Sequence, residues 1–239
     1  MLAVFEKDYF LRTSDFDCKG KLKPSSVLEL FQNAAGEHAA VLGCGFRDLA
    51  PRRLMWVILR TKYQLVGHCS MHDTVRIRTW PCPPSRLGFR REYMVMGSQG
   101  ELIAKGSSEW ALVDADSRRL VSGSAYPEDT EFCTEQCFPG RMERLRPFEG
   151  ECIITIKPGY SRLDVNGHVN NTAYADFALD AAAAILTGPV ESFQIDYRHE
   201  LRLGSSVNLS ALEDEGSLLV CGRDGEGEVS FLCRMGSGL

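Results

Sequence analysis

The segment Asp17-Cys-Lys-Gly-Lys-Leu-Lys-Pro-Ser-Ser-Val-Leu-Glu-Leu-Phe-Gln-Asn-Ala-Ala35 has a counterpart 147 residues later in the chain. That counterpart is Asp164-Val-Asn-Gly-His-Val-Asn-Asn-Thr-Ala-Tyr-Ala-Asp-Phe-Ala-Leu-Asp-Ala-Ala182. The Asp, the Gly and the two final Ala residues are identical, which makes four matches in nineteen positions where background composition predicts about one. The sequence therefore contains an internal repeat, and the repeat predicts two copies of one structural module.

Each copy begins with a turn and continues with a helical pattern. The apolar positions that recur at helical spacing are Val27, Leu30, Phe31, Ala34 and His38 in the first copy, and Tyr174, Phe177, Ala178, Ala181 and Ile185 in the second. β-Rich sequence follows each helix and predicts strands over residues 54–63, 74–80, 89–96 and 102–113, and then over 193–197, 206–212, 217–221 and 228–234.

A helix followed by an antiparallel meander, present twice, predicts an α+β fold in which each curved sheet wraps around its own helix. We expect an N-terminal module over residues 1–125 and a C-terminal module over residues 147–239. Residues 126–146 lie in a stretch rich in Pro, Gly, Ser and charged residues, and we expect them to form the linker.

Charge and hydropathy exclude several classes of protein. The 239 residues carry a net charge of −5, which disfavours nucleic acid as the main partner. Residues 1–150 hold 21 basic against 19 acidic side chains, whereas residues 151–239 hold 6 against 13, so an acidic partner would be attracted to the N-terminal half. The apolar runs fall far short of the roughly 20 residues that span a bilayer, and charges near the N-terminus argue against an export signal. We expect a soluble, cytoplasmic protein.

The nine cysteines do not form a recognisable framework, because their number is odd, their spacing is irregular and no Cys-x-x-Cys pair occurs. We expect reduced thiols. His68, Cys69 and His72 could form half of a metal site, but no second cluster of ligands accompanies them. No metal or cofactor is therefore expected.

The two copies differ where a functional site would lie. At matched turn positions the first copy has two lysines, whereas the second has Asn166 and His168. When the strands that follow the helices are aligned, Glu200 corresponds to a valine of the first copy. Asp17 and Asp164 are common to both copies, which indicates a structural role for this carboxylate in the turn, in addition to the catalytic role for which Asp164 is a candidate. The asymmetry predicts one active site, in the C-terminal half.

Asp164-x-Asn-Gly-His-Val-Asn-Asn-x-x-Tyr174 resembles the signature of hot-dog-fold thioesterases, and specifically of acyl-acyl-carrier-protein (acyl-ACP) thioesterases. Tyr197-Arg-His-Glu200 resembles the second catalytic segment of that family. Segments that resemble its N-terminal half are Gly36-Glu-His-Ala39, Leu54-Met-Trp-Val-Ile58, Arg90-Arg91, Trp110 and Ser117-Arg-Arg-Leu120. The resemblance implies a tandem hot-dog fold, hydrolysis of fatty acyl-ACP thioesters without a cofactor, and acyl carrier protein as the partner.

The chain departs from this family at Leu201, where many plant members carry a cysteine after the catalytic Glu. We therefore expect direct attack by water rather than by a thiolate. Glu200 would act as general base in a partly apolar environment that raises its pKa. His168 would assist it and stabilise developing charge, and Asn166 would bind the thioester carbonyl or orient the water.

The remaining predicted roles are supporting ones. Asp164 would anchor the turn, and Val169, Asn170 and Asn171 would present free N–H groups to the oxyanion near a helix N-terminus. Tyr174 and Phe177 are expected in the core, and His199 is expected to point outward.

The N-terminal module is expected to bind rather than to catalyse. The small residues that could line a groove for the acyl chain are Ala34, Ala35, Gly36 and Ala39. The basic residues that could meet an acidic carrier and its phosphopantetheine are Arg52, Arg53, Arg90, Arg91, Arg118 and Arg119. Because the tandem already supplies a pseudo-dimer, both a monomer and a homodimer remain open.

Two alternatives remain open at this point. An acyl-CoA thioesterase shares the Asp-x-x-Gly-His-Val-Asn-Asn core and would use Asp164 as base or nucleophile. A non-catalytic acyl-thioester-binding protein would retain the cavity and lack turnover.

Overall fold

Strands from both halves of the chain join in one antiparallel sheet. The computed structural model describes residues 3–85, 88–121, 125–186 and 188–236. Within these ranges ten strands follow the order β1-β3-β4-β5-β2-β7-β10-β9-β8-β6. Their bounds are β1 Phe5–Phe10, β2 Leu54–Leu65, β3 Thr74–Pro81, β4 Phe89–Met96, β5 Leu102–Asp114, β6 Ile154–Ile156, β7 Ser192–Tyr197, β8 Val207–Asp214, β9 Ser217–Asp224 and β10 Val229–Gly236.

Two long helices pack on one face of this sheet. The helices of the described chain are α1 Pro24–Val41, α2 Phe46–Leu49 and α3 Ala173–Ala182, with short 3-10 turns at Thr13–Asp15, Ala50–Arg52 and Tyr160–Arg162. Pro24 occupies the first turn of α1, where its missing N–H costs no hydrogen bond. α1 contacts the N-terminal strands β1 and β3, and α3 contacts the C-terminal strands β8, β9 and β10. The apolar faces of the two helices belong to one continuous core.

The modules are joined by the pairing of β2 with β7, which runs antiparallel from Arg60↔Asp196 to Gln64↔Ser192. On the face opposite the helices, Arg60 Nη1 lies 2.8 Å from Glu109 Oε2, and Arg60 Nε lies 3.6 Å from Asp196 Oδ1. Asp196 is 1% exposed, so this ion pair is buried at the junction. Because breaking a buried pair leaves an uncompensated charge, the pair favours the one register that keeps it.

The eight strands and two long helices predicted from sequence are all confirmed, with bounds that differ by up to three residues. β1 and β6 were not predicted. β1 reads Phe-Glu-Lys-Asp-Tyr-Phe and lies at the edge of the sheet, where charged side chains face water, and β6 is three residues long at the opposite edge. α3 ends at Ala182, so Ile185 lies outside the helix and is 41% exposed.

The predicted linker contains no helix or strand, but it is packed against the sheet. Met142 and Leu145 are buried, and Leu145 N donates to Asp196 Oδ2 at 3.1 Å. Cys137 N donates to Glu92 Oε2 at 3.0 Å. The segment therefore lies across the outer face of both modules and satisfies buried carboxylates of the sheet.

None of the helices that the structure describes has the length and apolarity needed to cross a membrane. The nine cysteines all lie in the described ranges and form no disulfide.

Gly106 provides a test of the packing between α1 and the sheet. A Cβ atom at this position of β5 would overlap the ring of Phe31, which stacks on Tyr93 at 4.2 Å between centroids. We expect Gly106→Ala to lower the free energy of unfolding by about 1–3 kcal/mol, as overpacking does. Gly159→Ala, where a Cβ atom meets nothing within 4 Å, is the matched control for chemical denaturation. Equal stability of the two variants would contradict this packing.

Candidate active site

A cavity of about 500 Å³ lies between the two modules, a size typical of small-molecule sites. Its walls are mostly apolar on the N-terminal side, where they include Leu49, Trp56, Phe89 and Trp110. The residues that the C-terminal module contributes are Asp164, Val165, Asn166, His168, Val169, Asn170, Asn171 and Glu200. The cavity thus combines an apolar chamber with a polar rim.

The polar rim is built on a turn held by Asp164. Asp164 Oδ1 accepts the backbone N–H groups of Asn166 at 2.8 Å and of His168 at 3.1 Å. Asp164 N donates to His168 O at 2.7 Å, and Gly167 has a φ of 76°, a left-handed conformation that glycine adopts without strain. The backbone that carries the side chains of Asn166 and His168 is therefore fixed.

The N-terminal module contains the same turn. Asp17 Oδ1 accepts the N–H groups of Lys19 and Lys21, both at 2.8 Å, and Gly20 has a φ of 71°. Asp224 repeats the pattern in the hairpin between β9 and β10, where its Oδ1 accepts two backbone N–H groups at 2.9 and 3.0 Å. A carboxylate used in this way in three turns has a structural role, as the repeat predicted.

His168 and Glu200 meet at the cavity. His168 is 9% exposed, and its Nε2 lies 3.2 Å from Glu200 Oε2. Two contacts bring the segments together: a bridge between His168 and Arg202, and a hydrogen bond of 2.8 Å from Val169 N to Leu201 O. The two residues that the sequence paired from distant motifs are therefore in contact.

The surroundings of Glu200 differ from the partly apolar environment expected from the sequence. Its side chain is 41% exposed, and its Oε1 accepts a hydrogen bond from Arg118 Nη1 at 3.1 Å. Arg118 was predicted only as a contact for a carrier. The local sequence could not predict that Arg118 contacts Glu200, because Arg118 belongs to the other module.

Tyr174 supports the site from the core. It is 3% exposed, as expected, and its hydroxyl accepts a hydrogen bond of 2.9 Å from Leu201 N, next to Glu200. Burial raises the pKa of Tyr174 to about 12, so the phenol stays protonated near neutral pH. The only indication of this role in the sequence was that Tyr174 belongs to the repeated motif.

Two of the three amides predicted for the oxyanion site are already used. Val169 N donates to Leu201 O and Asn170 N donates to Arg162 O, both at 2.8 Å. Neither N–H can therefore serve a ligand. α3 begins only at Ala173, and among the described residues Asn171 N–H has no hydrogen-bond partner. Asn171 also lines the cavity, which leaves it as the remaining backbone candidate.

The predicted basic residues separate into two groups. Arg91 is 5% exposed on the inner face of β4, where its Nη1 lies 3.0 Å from His38 Nδ1. Arg90 pairs with Glu92, which is fully buried, and donates to Ser107 Oγ at 3.2 Å. Both residues are also among those that line the cavity, so neither belongs to the open surface, and their contact with a carrier or its phosphopantetheine stays a prediction. The members that remain exposed are Arg52, Arg53, Arg118 and Arg119.

The small residues of α1 that were predicted to line a groove have two different locations. Ala35, Gly36 and Ala39 line the cavity, whereas Ala34 is fully buried in the core.

In the described ranges, no group of three or more His, Cys, Asp or Glu side chains could hold a metal ion. Tyr174 and Phe177 are core residues, and His199 is exposed, as predicted.

Both halves of the chain match models of known protein families. The model of the acyl-ACP thioesterase N-terminal domain matches residues 3–124, and that of the acyl-ACP thioesterase C-terminal domain matches residues 147–228.

Similar curated proteins come from plants. The chain is 26% identical to the oleoyl-acyl carrier protein thioesterase, chloroplastic, of Coriandrum sativum, over 82% of this chain and 59% of that protein. It is 25% identical to the palmitoyl-acyl carrier protein thioesterase, chloroplastic, of Gossypium hirsutum, over 82% of this chain and 52% of the relative. The chain thus spans between half and three fifths of the length of these relatives.

Solved structures with the same fold include an acyl-ACP thioesterase from Bacteroides thetaiotaomicron, with a TM-score of 0.89, 22% identity, and coverage of 98% of this chain and 97% of that one. The 12:0-ACP thioesterase from Umbellularia californica has a TM-score of 0.83 and 21% identity, with coverage of 99% and 97%. These likenesses confirm the tandem hot-dog fold. Taken with the two family models, which together match most of the sequence, they lead to one conclusion: the chain belongs to the acyl-ACP thioesterase family.

Proposed function

We propose that this protein hydrolyses fatty acyl-ACP thioesters and releases free fatty acids. The observation that carries the proposal is the contact between His168 and Glu200, 3.2 Å apart at the rim of a largely apolar cavity of about 500 Å³. The acyl chain would occupy the apolar chamber, and the thioester would lie at the polar rim.

The chemistry follows from the groups at that rim. Glu200 takes a proton from a water molecule as the water oxygen attacks the thioester carbonyl, and His168 stabilises the charge that develops. The C–S bond then breaks, and the proton passes to the departing thiolate of phosphopantetheine. Asn166 Nδ2 lies 3.4 Å from Asp164 Oδ2, a weak contact that leaves the amide able to donate to the carbonyl oxygen. Asn171 N–H is the second candidate donor.

The hydrogen bonds of Asp164 favour Glu200 as the base. Asp164 Oδ1 already accepts two backbone N–H groups, as Asp17 Oδ1 does in the N-terminal turn, so this carboxylate holds backbone in both modules. The same turn at Asp17 contains no His or Asn. The mechanism with Asp164 as base or nucleophile, which an acyl-CoA thioesterase would use, is therefore less favoured.

The proposed partner is acyl carrier protein, through the exposed arginines beside the cavity. Arg118 contacts Glu200 at the rim, Arg119 follows it in sequence, and Arg53 directly precedes the cavity residue Leu54. Guanidinium groups bind phosphate and carboxylate well, and an acidic carrier presents both.

Replacement of the two central groups tests the mechanism. We expect Glu200→Gln and His168→Ala each to lower kcat by roughly 10²–10⁴-fold, the range for general acid–base groups. Release of free fatty acid from matched acyl-ACP and acyl-CoA substrates is measured by mass spectrometry. His199→Ala, at an exposed neighbour of Glu200, is the control with near-normal turnover. Near-normal hydrolysis by a folded Glu200→Gln variant would refute the assignment.

The repeated turn allows structure to be separated from catalysis. Asp17→Ala and Asp164→Ala each remove two hydrogen bonds to backbone N–H groups, so we expect each to lower stability by about 1–3 kcal/mol and Tm by a few degrees. Only Asp164→Ala is expected to reduce kcat strongly, because only its turn carries His168. Calorimetry and turnover are compared on the same samples. An equal loss of activity in both variants would contradict the location of the site.

Gly36 tests the acyl chamber. It lines the cavity from α1, and a Cβ atom there meets nothing within 4 Å. We expect Gly36→Leu to fill part of the chamber and to shift the released fatty acids toward shorter chains, as determined from a mixed acyl-ACP pool. Gly36→Ala is the control and should stabilise the helix by about 0.5–1 kcal/mol. An unchanged product profile in a folded Gly36→Leu variant would count against this position for the chain.

A further inference from the structure

The contact between Arg118 and Glu200 crosses from one module to the other, over 82 residues of sequence. We propose that Arg118 is a positioning residue through which the N-terminal module orients the catalytic carboxylate of the C-terminal module. The inference rests on the proposed function, since it assigns a role in the same reaction. It also changes the task of the N-terminal module, which then completes the catalytic set as well as binding the acyl chain.

The two oxygens of Glu200 have different partners. Oε2 lies 3.2 Å from His168 Nε2, and Oε1 accepts from Arg118 Nη1 at 3.1 Å. The carboxylate is thus held between an imidazole of its own module and a guanidinium of the other. With both oxygens engaged, the plane of the carboxylate is defined, and one oxygen faces the imidazole at the cavity.

Glu200 needs such a constraint because its own segment provides little. It lies outside the strands, between the end of β7 and the bridge at Arg202, and its side chain is 41% exposed. A half-exposed glutamate samples several rotamers in water. Since His168 contacts one oxygen only, loss of the guanidinium would allow the carboxylate to rotate away from the water it must activate.

Arg118 itself is held in an unusual backbone conformation. Its φ is 57°, in the left-handed region that non-glycine residues rarely adopt. The turn is secured by Asp114, whose Oδ1 accepts Ser117 N and Ser117 Oγ at 2.8 Å each, while Arg118 N donates to Asp114 O at 2.9 Å. Strained residues that their surroundings maintain are concentrated at functional sites, and this turn places the Arg118 side chain beside Glu200.

Further contacts keep the turn and the guanidinium in place. Arg53, which directly precedes β2, forms an ion pair with Asp116 of the same turn. Arg118 Nη1 also lies 3.6 Å from the sulfur of Met55, a residue of the cavity wall. These contacts place the guanidinium, which is 43% exposed, beside the N-terminal wall of the cavity and within hydrogen-bond distance of Glu200.

A docking residue and a positioning residue differ in kinetics. If Arg118 only attracted the carrier, its removal would raise KM for acyl-ACP and leave a small thioester unaffected. If it orients Glu200, its removal lowers kcat for every thioester, whether or not a carrier is attached.

The variants are Arg118→Gly and Arg118→Asn, which remove the guanidinium and tolerate the left-handed turn, and Arg118→Lys, which retains the charge. The control is Arg146→Ala, at an exposed arginine that does not line the cavity and is not among the residues proposed to bind the carrier. Each is assayed with an acyl-ACP and with the N-acetylcysteamine thioester of the same acyl chain, which has neither phosphate nor protein. Tm is measured in parallel.

We expect kcat of Arg118→Gly and Arg118→Asn to fall roughly ten- to a hundredfold on both substrates, with little change in KM for the small thioester. Arg118→Lys should recover part of the rate, and Arg146→Ala should retain the kcat of the wild type. Tm of Arg118→Gly should not fall, because glycine relieves the backbone strain.

Two results would overturn the inference while leaving the proposed function intact: wild-type kcat in Arg118→Gly and Arg118→Asn on both substrates, or an effect confined to KM for acyl-ACP. If the wild-type chain hydrolysed neither substrate, the proposed function would fail and this inference with it.

Discussion

The hydrogen-bonded pairing of β2 with β7 is the constraint on which the rest of the structure depends. It turns two five-stranded halves into one sheet and gives both helices a common core. Because the cavity has walls from both modules, it exists only while this register is kept. The buried contacts of Arg60 with Glu109 and Asp196 stabilise that register, since a slipped strand would leave charges buried without partners.

The duplicated turn has the same backbone geometry in both modules but carries different side chains in each. Asp17 and Asp164 hold nearly identical turns through the same backbone N–H groups, so the carboxylate belongs to the framework. The side chains on the turn differ, and those of the second copy, Asn166 and His168, can donate hydrogen bonds at a cavity. The N-terminal copy instead contributes apolar walls and, through Arg118, a contact to Glu200. The two modules are therefore complementary rather than redundant.

The predictions from sequence succeeded where local pattern decides structure. Helical spacing, strand alternation and turn residues located ten elements, whereas the charged edge strand β1 and the three-residue β6 were missed because edges carry a weak pattern. Errors in the site have a different cause. Val169 and Asn170 lose their free amides to Leu201 and Arg162, and Glu200 is half exposed beside Arg118 of the other module. Leu201 and Arg118 come from distant parts of the chain, whereas Arg162 lies eight residues before Asn170, across the turn that Asp164 holds.

The sequence by itself determined that one module is repeated, that each copy carries an Asp-x-x-Gly turn, and that the second copy carries the polar side chains of the candidate site. These features depend on residues close together in the chain, where backbone geometry and hydrophobic periodicity act. Only the tertiary structure decided which groups meet. Glu200 lies between His168 and Arg118, half exposed rather than in an apolar pocket, because strand pairing and the folded turn at Asp114 bring these three residues together.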